Sequence, residues 1–391
     1  MINSLWAVVL GYIFLRPFVS ELDYAAFSLI INTVFILASS FYIFKKDVKA
    51  SIIDKAVLLF LLGLSISIAF STNRPKSISY LNIYLPMAAL GCMARAADNK
   101  EVKRLGIIIL LGLIVASVYS LAAMSAISKF ISYFITRNPG YPFAKELMIK
   151  KRAYLPFPSP NLFAGYLLMT AMLSLGQVAQ KIKEKKTDRI LTLNLCCLGV
   201  SIFLLFLTKS VGGWATFLFC AIIFSVLGRP LDKSIVLVIL LVAVLSIAVF
   251  TMRMSGNEDF TKPTFSFYKR VSYWKDTADI IHKYPLTGTG LGNVFLRESR
   301  SSHNSYLQIL AEMGPAGLVG WLLLALLFIK KGIENLRFSE ARYYSLGILT
   351  AGISFLVHNI TDYSFFVPQA AFLWWIVLGL TFNCKAHQSS S

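Results

Sequence analysis

Charged side chains are scarce in this chain of 391 residues. Only 15% of the residues are Asp, Glu, Lys or Arg, whereas 57% are hydrophobic. This composition excludes an ordinary soluble domain, and apolar runs of about 20 residues predict a polytopic membrane protein. Lipid offers no hydrogen-bond partner to a free backbone N–H or C=O, so each run is expected to be a helix.

The common metal and hydrolase motifs are also missing. The sequence contains no D-x-D or H-E-x-x-H spacing and no G-x-S-x-G elbow, and we therefore expect neither a metal nor another cofactor. The string "GTGLGN" (288–293) does not follow a strand, which favours a tight turn over a nucleotide-binding loop. The five cysteines form no C-x-x-C pair and lie in or beside apolar runs, so buried free thiols are expected.

Apolar runs recur along the whole chain and predict a single polytopic domain over residues 1–391. They lie at roughly 3–18, 24–44, 52–71, 77–94, 105–125, 160–180, 190–208, 212–228, 234–251, 314–329, 343–361 and 365–383. We therefore expect an all-α integral membrane protein with about 12 transmembrane helices.

Positive charge dominates, with a formal net charge of +19. Lys and Arg are concentrated in the short loops after even-numbered runs, so the positive-inside rule predicts that both termini are cytoplasmic. Two long connections, 126–159 and 252–313, then fall on the outer side, and both are basic. In so apolar a chain this charge indicates membrane lipids or an anionic substrate rather than nucleic acid. Contact with lipid phosphates is the alternative role for any one of these basic residues.

His303 is the leading candidate for a catalytic base, since an imidazole titrates near neutral pH. The string "SSHN" precedes an apolar run and predicts a helix start, with Ser301 or Ser302 as the N-cap. The positive end of a helix disfavours imidazolium, so a neutral ring is expected. The alternative is a histidine that merely lies at the membrane interface.

Three basic residues are candidates for binding an anion. Residues 267–284 carry apolar side chains at helical spacing and predict an amphipathic helix on the membrane surface, which includes Arg270. A guanidinium can hold a phosphate with two parallel hydrogen bonds. Lys209 adjoins a glycine pair in "LTKSVGGW", and Arg152 lies in the first long connection. For each of these residues, an interfacial side chain that reaches toward water is the alternative.

His358 and Asp362 are four residues apart and therefore share a helix face. They end an apolar run on the predicted outer side, as Lys209 also does. The pair could orient another polar group of a site or simply stabilise the end of its helix. This one-sided distribution of polar residues favours a site at the outer face.

Two segments in succession carry a family resemblance. "RVSYWKDTADIIHKYPLTGTGLGNVF" followed by "SSHNSYLQILAEMGPAGLVG" resembles the O-antigen ligase and polymerase superfamily. The likeness lies in the arginine–aromatic–tryptophan helix, the glycine turn, and the pattern H-N-x-x-L-x-x-x-x-E-x-G-x-x-G. "PFPSPNLFAGYLL" (156–168) and "HNITDYSFFVP" (358–368) resemble further segments of the family. The similarity covers roughly residues 150 to 370.

The resemblance implies a metal-independent, inverting glycosyltransferase with a GT-C-like architecture. Members have about twelve helices and act on undecaprenyl-diphosphate-linked glycans at the periplasmic face of the bacterial inner membrane. The resemblance implies that His303 is the base and that Arg270 holds the diphosphate. Lys209 stands where the family commonly has a second arginine, and Arg152 is the alternative contributor. Asn304, Glu312, His358 and Asp362 are expected to support the site.

Within this superfamily the sequence favours an O-antigen ligase, which transfers a finished glycan to the lipid A–core oligosaccharide. A polymerase that extends lipid-linked repeats and a protein O-oligosaccharyltransferase share the motif and stay open as alternatives. A transporter of lipid-linked glycans is the non-enzymatic alternative. It would require polar residues at mid-membrane and repeat symmetry between halves, and neither is evident.

Overall fold

The computed structural model describes residues 2–19, 25–46, 51–137, 152–228, 233–255, 262–299, 301–338 and 340–383, and within these ranges it is helical with no strand. The α-helices are α1 Ile2–Leu15, α2 Ala25–Lys45, α3 Ile52–Ala69, α4 Arg74–Ser79, α5 Leu81–Ala96, α6 Asn99–Arg137, α7 Pro160–Lys183, α8 Arg189–Thr208, α9 Val211–Gly228, α10 Lys233–Met254, α11 Pro263–Lys283, α12 Ser305–Asn335, α13 Arg342–His358 and α14 Pro368–Thr381. The all-α prediction is confirmed.

Eight segments of the described chain are long and apolar enough to cross a membrane. They are Phe27–Lys45, Ile52–Ala69, Arg74–Ala96, Asn99–Phe130, Pro160–Lys183, Arg189–Thr208, Val211–Gly228 and Ser305–Asn335. Three shorter apolar helical segments are Leu5–Phe18, Leu240–Met254 and Pro368–Thr381. A multi-pass membrane protein is therefore supported, whereas the expected number of about 12 spanning helices is not confirmed.

The centre of the bundle consists of α7, α13 and α14. Every residue of α14 is buried, so other helices surround it. Small residues let α7 and α13 approach closely: a Cβ built on Gly176 would lie 2.5 Å from the Cα of Gly347. At one end of the bundle centre, the start of α7 lies beside the end of α13. Asn161 of α7 and His358 of α13 are in contact there.

The apolar run 314–329 covers only the later part of α12. The helix starts at Ser305 and kinks at Gly314, which has φ +65° and precedes Pro315. The first turns contain Gln308 and Glu312, which are buried and bonded to each other. The string "SSHN" predicted a helix start close to the observed one, but the predicted N-cap was wrong: the N-cap is Asn304, whose side chain accepts a hydrogen bond from the backbone N–H of Leu307.

The two long connections contain more helix than their low hydropathy indicated. Helix α6 continues to Arg137, through the first part of the connection 126–159, of which 138–151 lies outside the described residues. The connection 252–313 contains α11, which confirms a helix at 267–284. The four described cysteines are free. Cys197 and Cys220 are buried as predicted, whereas Cys92 is half-buried, Cys196 is exposed and Cys384 lies outside the described residues.

Candidate active site

The ring of His303 is held between two tyrosines. His303 precedes α12 in a left-handed backbone conformation, with φ +49°, and is not part of the helix. Its ring stacks on Tyr273 of α11, with centroids 5.7 Å apart. It meets the ring of Tyr363 edge to face, with centroids 5.2 Å apart. The imidazole is therefore positioned by segments on both sides of it, as a residue with a defined task requires.

A chain of hydrogen bonds holds the backbone next to His303 in place. The side-chain oxygen of Gln308 accepts from the backbone N–H of Ser302 at 3.2 Å. The amide nitrogen of Gln308 donates to Glu312 at 3.0 Å, and the other carboxylate oxygen of Glu312 accepts from the N–H of Gly292 at 2.9 Å. Glu312 thus joins the start of α12 to the turn at 288–293, and its contacts assign it a positioning role.

The segment 288–293 is a tight turn, as predicted, and its backbone conformation requires glycine. Gly288, Gly290 and Gly292 all have positive φ, between 69° and 94°, a region that residues with a Cβ rarely occupy. A Cβ at Gly288 would also lie 2.4 Å from the backbone carbonyl carbon of Glu312. Both the conformation and the close approach require glycine, so the string needs no nucleotide to explain it.

Asp362 and His358 form a polar pair, although not on a shared helix face as predicted: α13 ends at His358, and Asp362 lies in the segment that follows. The carboxylate of Asp362 is buried and lies 3.6 Å from Nε2 of His358. That nitrogen donates to the backbone carbonyl of Asn161 at 3.0 Å. The other carboxylate oxygen of Asp362 accepts from the N–H of Tyr363 at 2.7 Å, and the Asp362 carbonyl accepts from the N–H of Ser305 at 3.0 Å. The pair therefore links α7, α12 and α13 beside His303.

Three arginines come together next to this pair, and we call Arg152, Arg253 and Arg270 the arginine cluster. Arg152 donates from Nε to the carbonyl of Thr208 at 2.5 Å, and Nη2 lies 3.5 Å from the side-chain oxygen of Asn161. Burial, together with the positive charges of Arg253 and Arg270, lowers the pKa of Arg152. Like charges held this close are unfavourable by themselves, and an anion among them would relieve the repulsion.

Arg270 connects the arginine cluster to His303. Burial lowers the pKa of Arg270, while the carboxylate of Asp362 raises it. The Nε of Arg270 is buried without a hydrogen-bond partner among the described residues. A guanidinium nitrogen that is buried and unpartnered is available to a ligand.

Burial lowers the pKa of His303 below its ordinary value of 6.5, and the charge of Arg270 lowers it further, whereas Asp362 raises it. The ring is therefore neutral at neutral pH. Its Nδ1 is buried and has no hydrogen-bond partner among the described residues. Because His303 lies outside α12, burial rather than the helix end is the main cause of neutrality. The predicted protonation state is supported, but by a different physical effect.

The structure brings together five of the sequence-predicted residues: Arg152, Arg270, His303, His358 and Asp362. Lys209 lies next to the site, but the contacts there are made by its neighbours. It ends α8 in a left-handed conformation, and its neighbours Thr208 and Ser210 bond Arg152 and Asn161. The Lys209 ammonium has no hydrogen bond or ion pair with the described residues, so its role as a diphosphate ligand stays a prediction.

Sequence analysis did not single out Arg253, Tyr273 or Tyr363. Arg253 ends an apolar helix and looked like one more interfacial cation among the basic residues of its connection. Its place in the arginine cluster depends on how α10 and α11 meet, which no local spacing reveals. Within the described ranges, no group of three or more His, Cys, Asp or Glu side chains could hold a metal ion, and metal independence stays a prediction.

Comparison with known families addresses the same part of the chain. Residues 196–322 match the family model described as O-antigen ligase. The resemblance drawn from the motifs is thereby confirmed, over a shorter span than expected. The match includes Arg253, Arg270 and His303, while Arg152 and Asp362 lie outside it. No curated protein matches the chain.

The lowered pKa of His303 predicts the pH dependence of an enzyme that uses it as a base. The fall in activity on the acidic side should be centred below pH 6.5, the ordinary value for an imidazole, because the base must be unprotonated. Replacing Asp362 by Asn removes a negative charge that raises the pKa of His303, so the fall in activity on the acidic side should move to lower pH. Replacing Arg270 by Gln removes a positive charge that lowers this pKa, so the fall should move to higher pH. Profiles of kcat/KM against pH test both shifts, and two shifts of the same sign would contradict the assignment.

Proposed function

We propose that this protein is an inverting glycosyltransferase that transfers a glycan from undecaprenyl diphosphate to the lipid A–core oligosaccharide. The reaction would take place at the periplasmic face of the bacterial inner membrane, with both termini in the cytoplasm. The family match supports a glycosyltransferase of the O-antigen ligase or polymerase type. One observation supports the proposed mechanism of transfer from a diphosphate donor: a neutral, positioned histidine beside a cluster of three arginines.

His303 would activate the acceptor. The proton of the acceptor hydroxyl moves to a ring nitrogen of His303 as the hydroxyl oxygen attacks C1 of the donor sugar. The bond between C1 and the diphosphate oxygen breaks, and its electron pair leaves with undecaprenyl diphosphate. Attack opposite the leaving group inverts the configuration at C1. Such general base assistance contributes about 10²- to 10⁴-fold to the rate.

The arginine cluster would hold the diphosphate and stabilise it as it leaves. Negative charge grows on the bridging oxygen in the transition state, and preorganised cations disperse it. Asp362 is the carboxylate coupled to both His303 and Arg270. It would stabilise the imidazolium that forms once His303 has accepted the proton. Tyr273 and Tyr363 hold the ring in place while the acceptor approaches.

The acceptor decides between a ligase, a polymerase and a protein-modifying transferase, since all three would use the same base and diphosphate site. No observation in the structure favours the polymerase or the protein O-oligosaccharyltransferase over the ligase. A transporter is a poorer fit, because transport alone does not explain a positioned, neutral histidine beside three arginines.

Complementation of two deletion strains tests the proposal. One strain lacks its O-antigen ligase and the other lacks its O-antigen polymerase, and the lipopolysaccharide of each is separated on a gel. We expect wild-type protein to restore the long-chain ladder to the ligase-null strain. Rescue of the polymerase-null strain alone would assign the protein as a polymerase. Failure to rescue either strain, with the protein present in the membrane, would reject both assignments.

A further inference from the structure

A cavity of about 370 Å³ lies far from His303, at the opposite end of the helix bundle. Its walls come from the first turns of α6 and α8 and the last turns of α7, together with Tyr344 and Leu380. Helix α7 starts at the active site with Asn161 and reaches the cavity rim with Lys181. At about 1.5 Å per residue, these two residues are roughly 30 Å apart along the helix. The cavity is therefore separate from the site of transfer.

The cavity has a charged rim and a mainly apolar interior. The rim carries Lys103, Lys181, Lys186 and Glu184, which lie at the ends of the helices or just beyond them. Further in, most of the wall is apolar, although Thr170, Gln177 and Asn194 also line it. The apolar residues include Leu105, Ile109, Leu110, Leu173 and Leu193. In one bilayer leaflet, charged head groups lie above hydrocarbon chains. A charged rim above an apolar slot follows the same order, so it fits a molecule with a charged head and a hydrocarbon chain.

The cavity lies at the perimeter of the bundle, where lipid can reach it. Two of its three main walls, α6 and α8, expose large apolar side chains near it. Leu111 and Val115 are 41% and 44% exposed on α6, and Leu195 is 49% exposed on α8. Such side chains on a membrane helix face the acyl chains. A lipid could thus enter from the bilayer without crossing water.

The charges at the rim favour an anionic head group. Three lysines face one glutamate, and two of the lysines already have carboxylate partners: Lys181 lies 2.7 Å from Asp188, and Lys186 lies 3.0 Å from Glu184. Lys103 is exposed, and it makes no hydrogen bond or ion pair with another residue in the described ranges. The rim therefore keeps an uncompensated positive charge directly above an apolar slot.

We propose that this cavity binds one anionic phospholipid from the leaflet opposite the site of transfer. An acyl chain would lie between α6, α7 and α8, and the phosphate would lie beside Lys103. Gly106 faces the slot, and a Cβ built there has no neighbour within 4 Å. The lack of a side chain at Gly106 widens the cavity where the chain would pass. The inference does not depend on the transferase activity, because no residue of the candidate active site contributes to it.

Filling the slot tests the binding of the acyl chain. The full-length protein is purified in detergent, phosphatidylglycerol is titrated in, and bound lipid is counted by native mass spectrometry. We expect wild type to retain one phosphatidylglycerol and Gly106→Phe to bind it at least about tenfold more weakly, since the ring occupies the slot. Gly199→Phe is the matched control: it lies on α8, has open space around its Cβ and does not line the cavity. Equal retention by the two variants would overturn the proposal.

Reversing a rim charge tests the head group, with a variant whose surface position keeps the fold intact. Lys103→Glu should weaken phosphatidylglycerol binding about tenfold, whereas Lys100→Glu, three residues away and outside the cavity lining, should not. Neutral phosphatidylethanolamine should bind wild type less tightly than phosphatidylglycerol. Equal binding of the two lipids would show that the site is not selective for anions. Competition by millimolar inorganic phosphate alone would show that the rim takes a free anion and that no lipid is required.

Discussion

Replacing His303 by alanine is expected to lower the rate of glycan transfer about 10²- to 10⁴-fold, the usual contribution of a positioned general base. The residue contacts Tyr273 and Tyr363 through its ring but makes no side-chain hydrogen bond from the buried Nδ1. Its loss should therefore affect the chemistry more than the fold. The rate is measured with purified protein, a lipid-diphosphate glycan and a lipid A–core acceptor.

His282→Ala is the matched control for this experiment. His282 is an exposed residue near the end of α11, and its ring nitrogen bonds the carbonyl of Ala278 one turn earlier. Its replacement should leave the rate unchanged. If His303→Ala transfers glycan as fast as wild type at equal protein concentration, His303 is not the base and the mechanism proposed here is wrong.

Replacing Arg270 by alanine is expected to lower kcat about 10²- to 10³-fold, the cost of removing one donor aimed at developing charge. Arg270→Lys keeps the charge but loses the fork that binds two phosphate oxygens at once, so it should recover only part of the activity. The drop should appear in kcat more than in KM, because Arg152 and Arg253 still attract the donor in the ground state. Steady-state kinetics against donor concentration separate the two parameters.

Lys275→Ala on the same helix is the control for Arg270. Lys275 is exposed and is not part of the arginine cluster, so its loss removes one positive charge without touching the proposed diphosphate site. Kinetics unchanged in Lys275→Ala and impaired in Arg270→Ala would locate the effect at the cluster. Equal, small effects of the two changes would mean that only the general positive charge of this face matters.

Much of the candidate site could be predicted from local sequence patterns. His303, Arg270 and the turn at 288–293 lie in strings whose residue types and spacing are specific enough to predict both a turn and a base. The side chains of His358 and Asp362 do lie 3.6 Å apart, but the shared helix face predicted from their spacing was wrong, because α13 ends at His358 and Asp362 lies beyond it. The turn depends on contacts close in sequence, which local patterns describe well.

Features that depend on packing could not be predicted. The burial of Gln308 and Glu312 in a hydrogen-bonded chain was not foreseen, because hydropathy treats both as polar. Arg253 joins the arginine cluster through the meeting of helices far apart in sequence. Conversely, the position of Lys209 beside a glycine pair suggested a phosphate ligand, yet the contacts at the site come from the residues on either side of it.

The most direct test of the central claim is to measure undecaprenyl diphosphate released by the purified protein from a glycan donor in the presence of a lipid A–core acceptor. We predict that wild type releases it in step with glycan transfer, with inverted configuration at the new linkage, and that a variant lacking Arg152, Arg253 and Arg270 releases none. Release at the wild-type rate by that variant would contradict the assignment of the arginine cluster as the diphosphate site.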